Sequence, residues 1–236
     1  MNLKIIYDSP PCPEGLCCGW GFSCLLDGRL LFDTGDNFPA LENNLLKAGV
    51  APAEIKEVFI SHEHADHAGG LPGLLERYGR KTVHLPAGTS SEFRKSIASS
   101  CSIIEHARCE SLGGGFFSTG AAPFVYKGLK FSEQSLVART AKGLVVTTGC
   151  AHTGIAEIVR GVRENFPGER ITLLAGGFHL RDGSPEAIVA AAAFLRAAGV
   201  ERVAPCHCSG AGASAYLAGA YGAAYFKVPA GSSVDI

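Results

Sequence analysis

The sequence lacks any apolar run approaching the roughly 20 residues that a membrane-spanning helix requires. The nearest is the alanine-rich stretch from Ala187 to Ala198, which is short and bracketed by Glu186 and Arg196. A secretory apolar region is missing as well, because Met1 to Asp8 alternates like a strand. Nor is there an excess of charge. Across 236 residues, 21 Lys and Arg face 22 Asp and Glu, a net of -1. That balance excludes the broad positive field of a nucleic-acid or anionic-membrane binder. Repeats, low-complexity linkers and a Gly-rich phosphate loop are all absent. With 47% hydrophobic and 18% charged residues, the composition is that of an ordinary globular chain. These absences predict one domain over residues 1–236, in the cytoplasm, with no membrane or nucleic-acid partner.

Cysteine, by contrast, is plentiful. There are nine, an odd number that leaves at least one unpaired. A chain of this size buries a core without staples, so reduced thiols are expected. Cys12, Cys17 and Cys18 cluster near the start and Cys206 and Cys208 flank His207, but no matched pair of C-x-x-C spacings marks a separate zinc knuckle.

Glycine and proline punctuate the rest. Strands are expected at Leu3 to Tyr7, Phe22 to Leu26 and Arg29 to Phe32, the last two joined through the hairpin dipeptide Asp27-Gly28. A helix from Ala40 to Ala48 ends at Gly49, a buried strand covers Val58 to Ile60, and a helix begins near Asp66 or Leu71. A strand near Thr82 to Leu85 follows. Between Ser99 and Pro123 no assignment stands out, and Gly113-Gly114-Gly115-Phe116-Phe117 reads as a mobile loop with an aromatic tip. A second hairpin (Ser135 to Arg139, Leu144 to Thr148) precedes helix Ile155 to Asn165, strand Ile171 to Leu174, helix Pro185 to Ala198 with Gly199 as its left-handed cap, and strand Arg202 to Ala204. Hairpins followed by strand and helix alternation in both halves point to an α/β fold of two mixed sheets with helices outside.

The chemistry concentrates in Ser61-His62-Glu63-His64-Ala65-Asp66-His67. His62 and His64 follow a strand, and residues two apart on extended backbone point the same way. Asp66 and His67 come round the turn into the next helix and add a carboxylate and a third imidazole. Nitrogen with carboxylate oxygen suits zinc, iron or manganese. Gly69-Gly70 lets the loop pack closely behind the site. Asp33, at a strand end, is placed to accept an imidazole N–H. His84 and His106 read as ordinary strand or surface residues, and Trp20 and Phe22 as core or pocket wall.

The His62-x-His64-x-Asp66-His67 pattern resembles the metallo-β-lactamase superfamily. The ordered set Leu31 to Gly35, Ile60 to His62, Gly69 to Leu71, Thr148 to His152, Gly176 to Leu180 and Pro205 to Gly210 resembles its dihydropterin and ribofuranosylaminobenzene-phosphate synthase-like subgroup, over most of the chain except about residues 89–125. The resemblance implies a four-layer αββα sandwich and two divalent metal ions, zinc first, with iron or manganese as alternatives. His62, His64 and a later residue hold one ion; Asp66, His67 and a late histidine, matched by His207, hold the other. Where relatives carry a histidine segment before a strand, Phe131 to Ser135 has none, and Cys150 stands where a bridging Asp often lies. His152 is the expected replacement ligand, while Cys150 is either a thiolate ligand or a buried inert thiol. His179 is a further ligand or a proton donor to the leaving group, with a substrate-side role favoured. The implied activity is hydrolysis of a small-molecule ester, phosphodiester or related substrate, phosphorylated in one version, by metal-activated hydroxide, with Asp66 orienting the nucleophile. Two alternatives remain: a phosphoribosyl-transferring synthase, with Arg139, Arg181 and the Gly113–Gly115 amides as anion contacts, and a thiol-rich non-hydrolytic metal or redox protein.

Overall fold

A computed structural model describes residues 1–236, in two compact units. The first comprises Met1–Ala107, Ala121–Gln134 and Val228–Asp235; the second comprises Arg108–Gly120, Ser135–Lys227 and Ile236. No helix is long and apolar enough to cross a membrane.

The first unit is built on a seven-stranded mixed sheet in the order Ser233–Asp235, Asn2–Tyr7, Ser23–Leu26, Leu30–Phe32, Glu57–Phe59, Thr82–Pro86, Ser102–His106. The last four are mutually parallel. Side chains alternate along them as a pleated strand requires. Leu31, Val58, Val83 and Leu85 join a core with Leu41 and Leu45 of helix Phe38–Lys47 and Leu71, Leu74 and Leu75 of helix Leu71–Tyr78. On the alternate positions Phe32 stacks on Phe59 at 5.4 Å, and Phe59 on His84 at 6.4 Å. The hairpin at Asp27-Gly28 forms as expected, with both residues at positive φ (53° and 66°). The first helix starts two residues before its predicted position, because Asn37 caps it by accepting from the Ala40 amide and Pro39 fits its first turn.

The second unit carries a six-stranded mixed sheet in the order Val203–Cys206, Ile171–Gly177, Gly143–Thr148, Leu136–Thr140, Phe116–Ser118, Glu110–Gly113. Its first three strands are parallel and the rest antiparallel. Helices Ile155–Asn165, Pro185–Ala197 and Ala211–Tyr221 bury Val159, Val162, Leu195 and Leu217 with Val146 and Leu174 of the sheet. The α/β class with two large mixed sheets is as expected.

Several local expectations change. The Gly113–Gly115 segment is the turn of a strand hairpin, and Phe116 is buried at 2% exposure, so the aromatic pair anchors the sheet and is no loop tip. Sequence periodicity missed helix Ala211–Tyr221, whose run of alanine, glycine and tyrosine has almost no apolar–polar contrast. It also missed the hairpin of Ala122–Tyr126 and Leu129–Glu133. Cys12 and Cys18 are disulfide-bonded, against the expectation of reduced thiols throughout; six residues apart, their Cα atoms come within 5.6 Å, a normal bridging separation. The other seven cysteines are free.

Candidate metal centre

In the first unit the site grows from the C-terminal end of strand Glu57–Phe59, which lies inside the sheet between parallel neighbours. The chain leaves the strand through Ser61 and His62, and His64 is the N-cap of the short helix Ala65–Ala68, with Asp66 and His67 in its turn. This route gathers the rings. The His62 centroid lies 4.7 Å from His64 and 4.2 Å from His67, and Asp66 Oδ2 is 3.6 Å from His67 Nε2. Gly69 and Gly70 permit the close packing behind them: a Cβ at either would come within 2.4 Å of the Asp36 or Thr34 carbonyl oxygen.

Asp33 organises this half, as its position predicts. It is fully buried and accepts from the Ser61 amide at Oδ1 (2.7 Å), and from the Ser61 hydroxyl and His67 Nδ1 at Oδ2 (both 2.7 Å). Burial pushes its carboxyl up, while the His67 charge and the His67 and Ser61 hydrogen bonds pull it down. Ser61 has one hydroxyl proton, and the carboxylate takes it. The 2.9 Å contact between Ser61 Oγ and His62 Nδ1 must therefore be donated by the imidazole. Both His62 and His67 thus carry their proton on Nδ1 and present the Nε2 lone pair, the form a metal ion requires. The donor set of three imidazoles and one carboxylate fits a divalent ion.

An aromatic wall stands where the resemblance implies another histidine. Phe131, Tyr126 and Phe124 of the hairpin approach His64 at 4.7, 5.0 and 5.8 Å between centroids. Sequence reasoning noted the missing histidine at Phe131 and did not foresee this packing. Ser61 was also missed as the relay between Asp33 and His62, although a hydroxyl directly before the first histidine was a readable signal.

In the second unit, strands Gly143–Thr148, Ile171–Gly177 and Val203–Cys206 run parallel as neighbours, so their C-terminal ends lie side by side. The loops beyond them carry Cys150 and His152, His179, and His207 respectively. Ligand atoms of Cys150, His152 and His179 lie within 4.8 Å of one another, and the His152 and His179 rings are 4.7 Å apart. Cys150 and His207 are buried and His179 is exposed. The loops are tied together by Phe178 N–H donating to Ser209 Oγ (3.0 Å), Arg181 N–H to Cys208 O (3.1 Å) and Thr148 Oγ1 to Gly177 O (2.8 Å). Burial raises the Cys208 thiol, but hydrogen bonds with Cys150 and His179 and the His207 charge carry it well below the usual thiol range.

Other candidates fall elsewhere. Arg139 is taken by Glu169 in two hydrogen bonds (3.0 and 2.6 Å) and stacks over Phe117, and Arg181 sits against Asp182 on the surface. His84 and His106 are strand residues, as one expected alternative had it, and form a buried, stacked pair with ring nitrogens 2.9 Å apart. Phe22 is core, whereas Trp20 is 42% exposed and is not.

Known proteins resemble this chain in sequence and fold. The profile of the Metallo-beta-lactamase superfamily matches residues 26–95. The crystal structure of a metal-dependent hydrolase of the beta-lactamase superfamily is 31% identical and superposes with a TM-score of 0.87, covering 100% of this chain and 99% of that one. A 7,8-dihydropterin-6-methyl-4-(beta-D-ribofuranosyl)-aminobenzene-5'-phosphate synthase of Methanocaldococcus jannaschii is 26% identical over 77% of this chain and 76% of its own length. A ribonuclease Z of Latilactobacillus sakei is 35% identical over 35% of this chain and 28% of its own.

Proposed function

We propose, since this chain belongs to the metallo-β-lactamase superfamily, that it is a metal-dependent hydrolase of small-molecule esters, thioesters, lactones or phosphodiesters. The residues that would hold divalent ions, zinc first, then iron or manganese, are His62, His64, Asp66 and His67 in the first unit and His152 and His207 in the second. Divalent ions there supply Lewis acidity and a lowered water pKa.

The observation that carries this reading is the Asp33–Ser61 network, which sets two imidazoles in the ligand tautomer and serves no purpose for a merely structural histidine loop. Asp66, beside His67 and partly open to solvent, aligns the attacking water. His179, exposed at the end of strand Ile171–Gly177, donates a proton to the leaving group. His64→Ala and Asp66→Ala are expected to lower metal-dependent turnover on an ester and phosphodiester panel by about 10³-fold or more, with the circular dichroism spectrum retained. Full activity in either metal-loaded variant refutes the assignment.

A second reading, a phosphoribosyl-transferring synthase, draws support from the similarity to the Methanocaldococcus jannaschii synthase over most of both chains. Engagement of Arg139 by Glu169 removes one of its expected anion contacts. Pyrophosphate release from a phosphoribosyl diphosphate in the presence of an aromatic amine would favour it. Bound iron with reversible spectral change and no turnover would favour the thiol-rich redox alternative.

A further inference from the structure

Helices Ile155–Asn165 and Pro185–Ala197 leave a trough of about 360 Å³ on the second unit, at the small end of ligand-binding pockets. His152 and His179 line it. Its walls are kept open by small residues, Ala156 on one helix and Ala187, Ala190 and Ala191 on the other, with Phe178 and Leu180 completing an apolar lining. Helix Pro185–Ala197 buries only Ala192 and Leu195 and leaves Val189 43% exposed, so its apolar surface exceeds what the core of this unit uses.

The lining contains a single formal cation, Arg160. Its guanidinium lies 4.6 Å over the Phe194 ring of the opposite helix and also pairs with Glu157. The Arg160–Phe194 contact bridges the two helices along the trough. From Ile155, beside the histidines, to Arg160 is five residues, or about 7.5 Å along a helix axis, the span of roughly five or six chain carbons.

We propose that this trough is the acyl subsite of the enzyme: it takes the unbranched apolar arm of a carboxylic ester or thioester whose carbonyl reacts at His152 and His179, and the Arg160–Phe194 pair sets the longest arm accepted. The proposal rests on the hydrolase reading and narrows its substrate class. A phosphodiester arm is disfavoured here, because the one formal cation is engaged by Glu157 and Phe194 and most of the remaining lining is apolar.

The test uses the full, metal-loaded chain with 4-nitrophenyl acetate, butanoate, hexanoate and octanoate, and separately follows Ala190 and Ala191 amide shifts by NMR on addition of sodium hexanoate. The kcat/KM is expected to rise about two- to fourfold per added methylene up to hexanoate, the gain from partial to full CH₂ burial, and to fall at octanoate. Ala190→Phe, on the exposed face of its helix, is expected to lower the hexanoate-to-acetate ratio at least tenfold, and Ala187→Leu to lower it less. Arg160→Ala is expected to move the optimum to octanoate. A flat chain-length profile, or an unchanged ratio in Ala190→Phe, overturns the subsite. If acetate is hydrolysed and hexanoate shifts neither amide, the subsite fails and the hydrolase reading stands. If neither these esters nor a phosphodiester panel is turned over but hexanoate shifts both amides and Ala190→Phe abolishes the shifts, the apolar-arm site stands and the hydrolase reading fails.

Discussion

Replacing Asp33 by Asn changes no volume and should nevertheless disable the metal site. The Ser61 amide donates to Oδ1, so the asparagine carbonyl must stay there, and its NH₂ falls where Oδ2 now accepts from Ser61 Oγ and His67 Nδ1. Two acceptor contacts become donor contacts. Ser61 then accepts from Asn and donates to His62 Nδ1, while His67 Nδ1 accepts from Asn directly. Both imidazoles shift their proton to Nε2, the atom needed for the metal. Loss of one such supporting contact costs roughly 10- to 100-fold in metal affinity. Two together give about 10²- to 10⁴-fold, or about 3–5 kcal/mol. Stability of the metal-free protein should change far less, because the relayed hydrogen bonds are reversed and not deleted. Asp33→Ala, by contrast, strands buried donors and should cost the metal-free fold about 3 kcal/mol or more. Competition against a chromophoric chelator measures the affinity, and ¹⁵N shifts of the imidazole nitrogens report the tautomers. An Asp33→Asn protein that binds metal within threefold of the unsubstituted chain, with Nδ1 still protonated, refutes the reasoning.

Other expectations concern stability. Burial and the neighbouring His106 push His84 down to about 4, from an ordinary 6.5. The unfolded chain therefore binds the proton first as pH falls: the stability is fully present above pH 6.5 and is lost progressively toward pH 4, by up to about 3 kcal/mol. Chemical denaturation across that window checks it, and an undiminished midpoint at pH 4.5 contradicts it. Gly176 has φ 112°, and a Cβ there would sit 2.0 Å from the Thr148 carbonyl oxygen in the neighbouring parallel strand. Gly176→Ala should cost about 3 kcal/mol or more. Gly161, inside helix Ile155–Asn165, has nothing within 4 Å of its missing Cβ, so Gly161→Ala should instead stabilise by about 0.5–1 kcal/mol. Thermal melts of the pair read both signs.

Legibility followed the range of the interactions. The motif from His62 to His67 could be read because its four candidate ligands lie within six residues and strand-to-helix geometry alone brings them together. Asp33 could be read as an imidazole acceptor because it ends a strand, although its partner Ser61 was overlooked. Strand Ile171–Gly177 was predicted to end at Leu174, since its last three residues are Ala and Gly, which carry no strand preference; the two glycines are there because the Thr148 carbonyl, at Gly176, and the Gly149 carbonyl and Cys208 Sγ, at Gly177, approach too closely for a side chain. Helix Ala211–Tyr221 and hairpin Ala122–Glu133 were illegible for a related reason. The helix lacks a polar face to set its period, and the hairpin exposes Val125 and Leu129 at 67% and 64%, so neither displays the alternation that sequence reading depends on. The aromatic wall against His64 could not be inferred for the same cause: its three rings come from a hairpin more than fifty residues away.

Backbone conformation adds an argument that no motif carries. Six non-glycine residues have positive φ. Asp27 and Lys127 precede Gly28 and Gly128 in hairpin turns, where this conformation is routine. The other four are Asp33 (54°), Ala151 (60°), His179 (52°) and His207 (50°), all within three residues of a strand end. A left-handed L-residue costs roughly 1–2 kcal/mol, so four amount to about 4–8 kcal/mol, a sizeable part of the net stability of a folded domain. Glycine would remove that cost wherever the backbone alone mattered. At Ala151 the retained methyl is buried in the core of its unit, which accounts for its side chain. At Asp33, His179 and His207 glycine would delete a carboxylate or an imidazole. Strain of this kind persists where surrounding structure holds it and clusters at functional sites. In this chain it falls on the acceptor that sets the His62 and His67 tautomers and on the two histidines that end adjacent parallel strands of the second unit. Those three side chains are the ones the fold is strained to present, and His179 is among them on grounds independent of any sequence pattern.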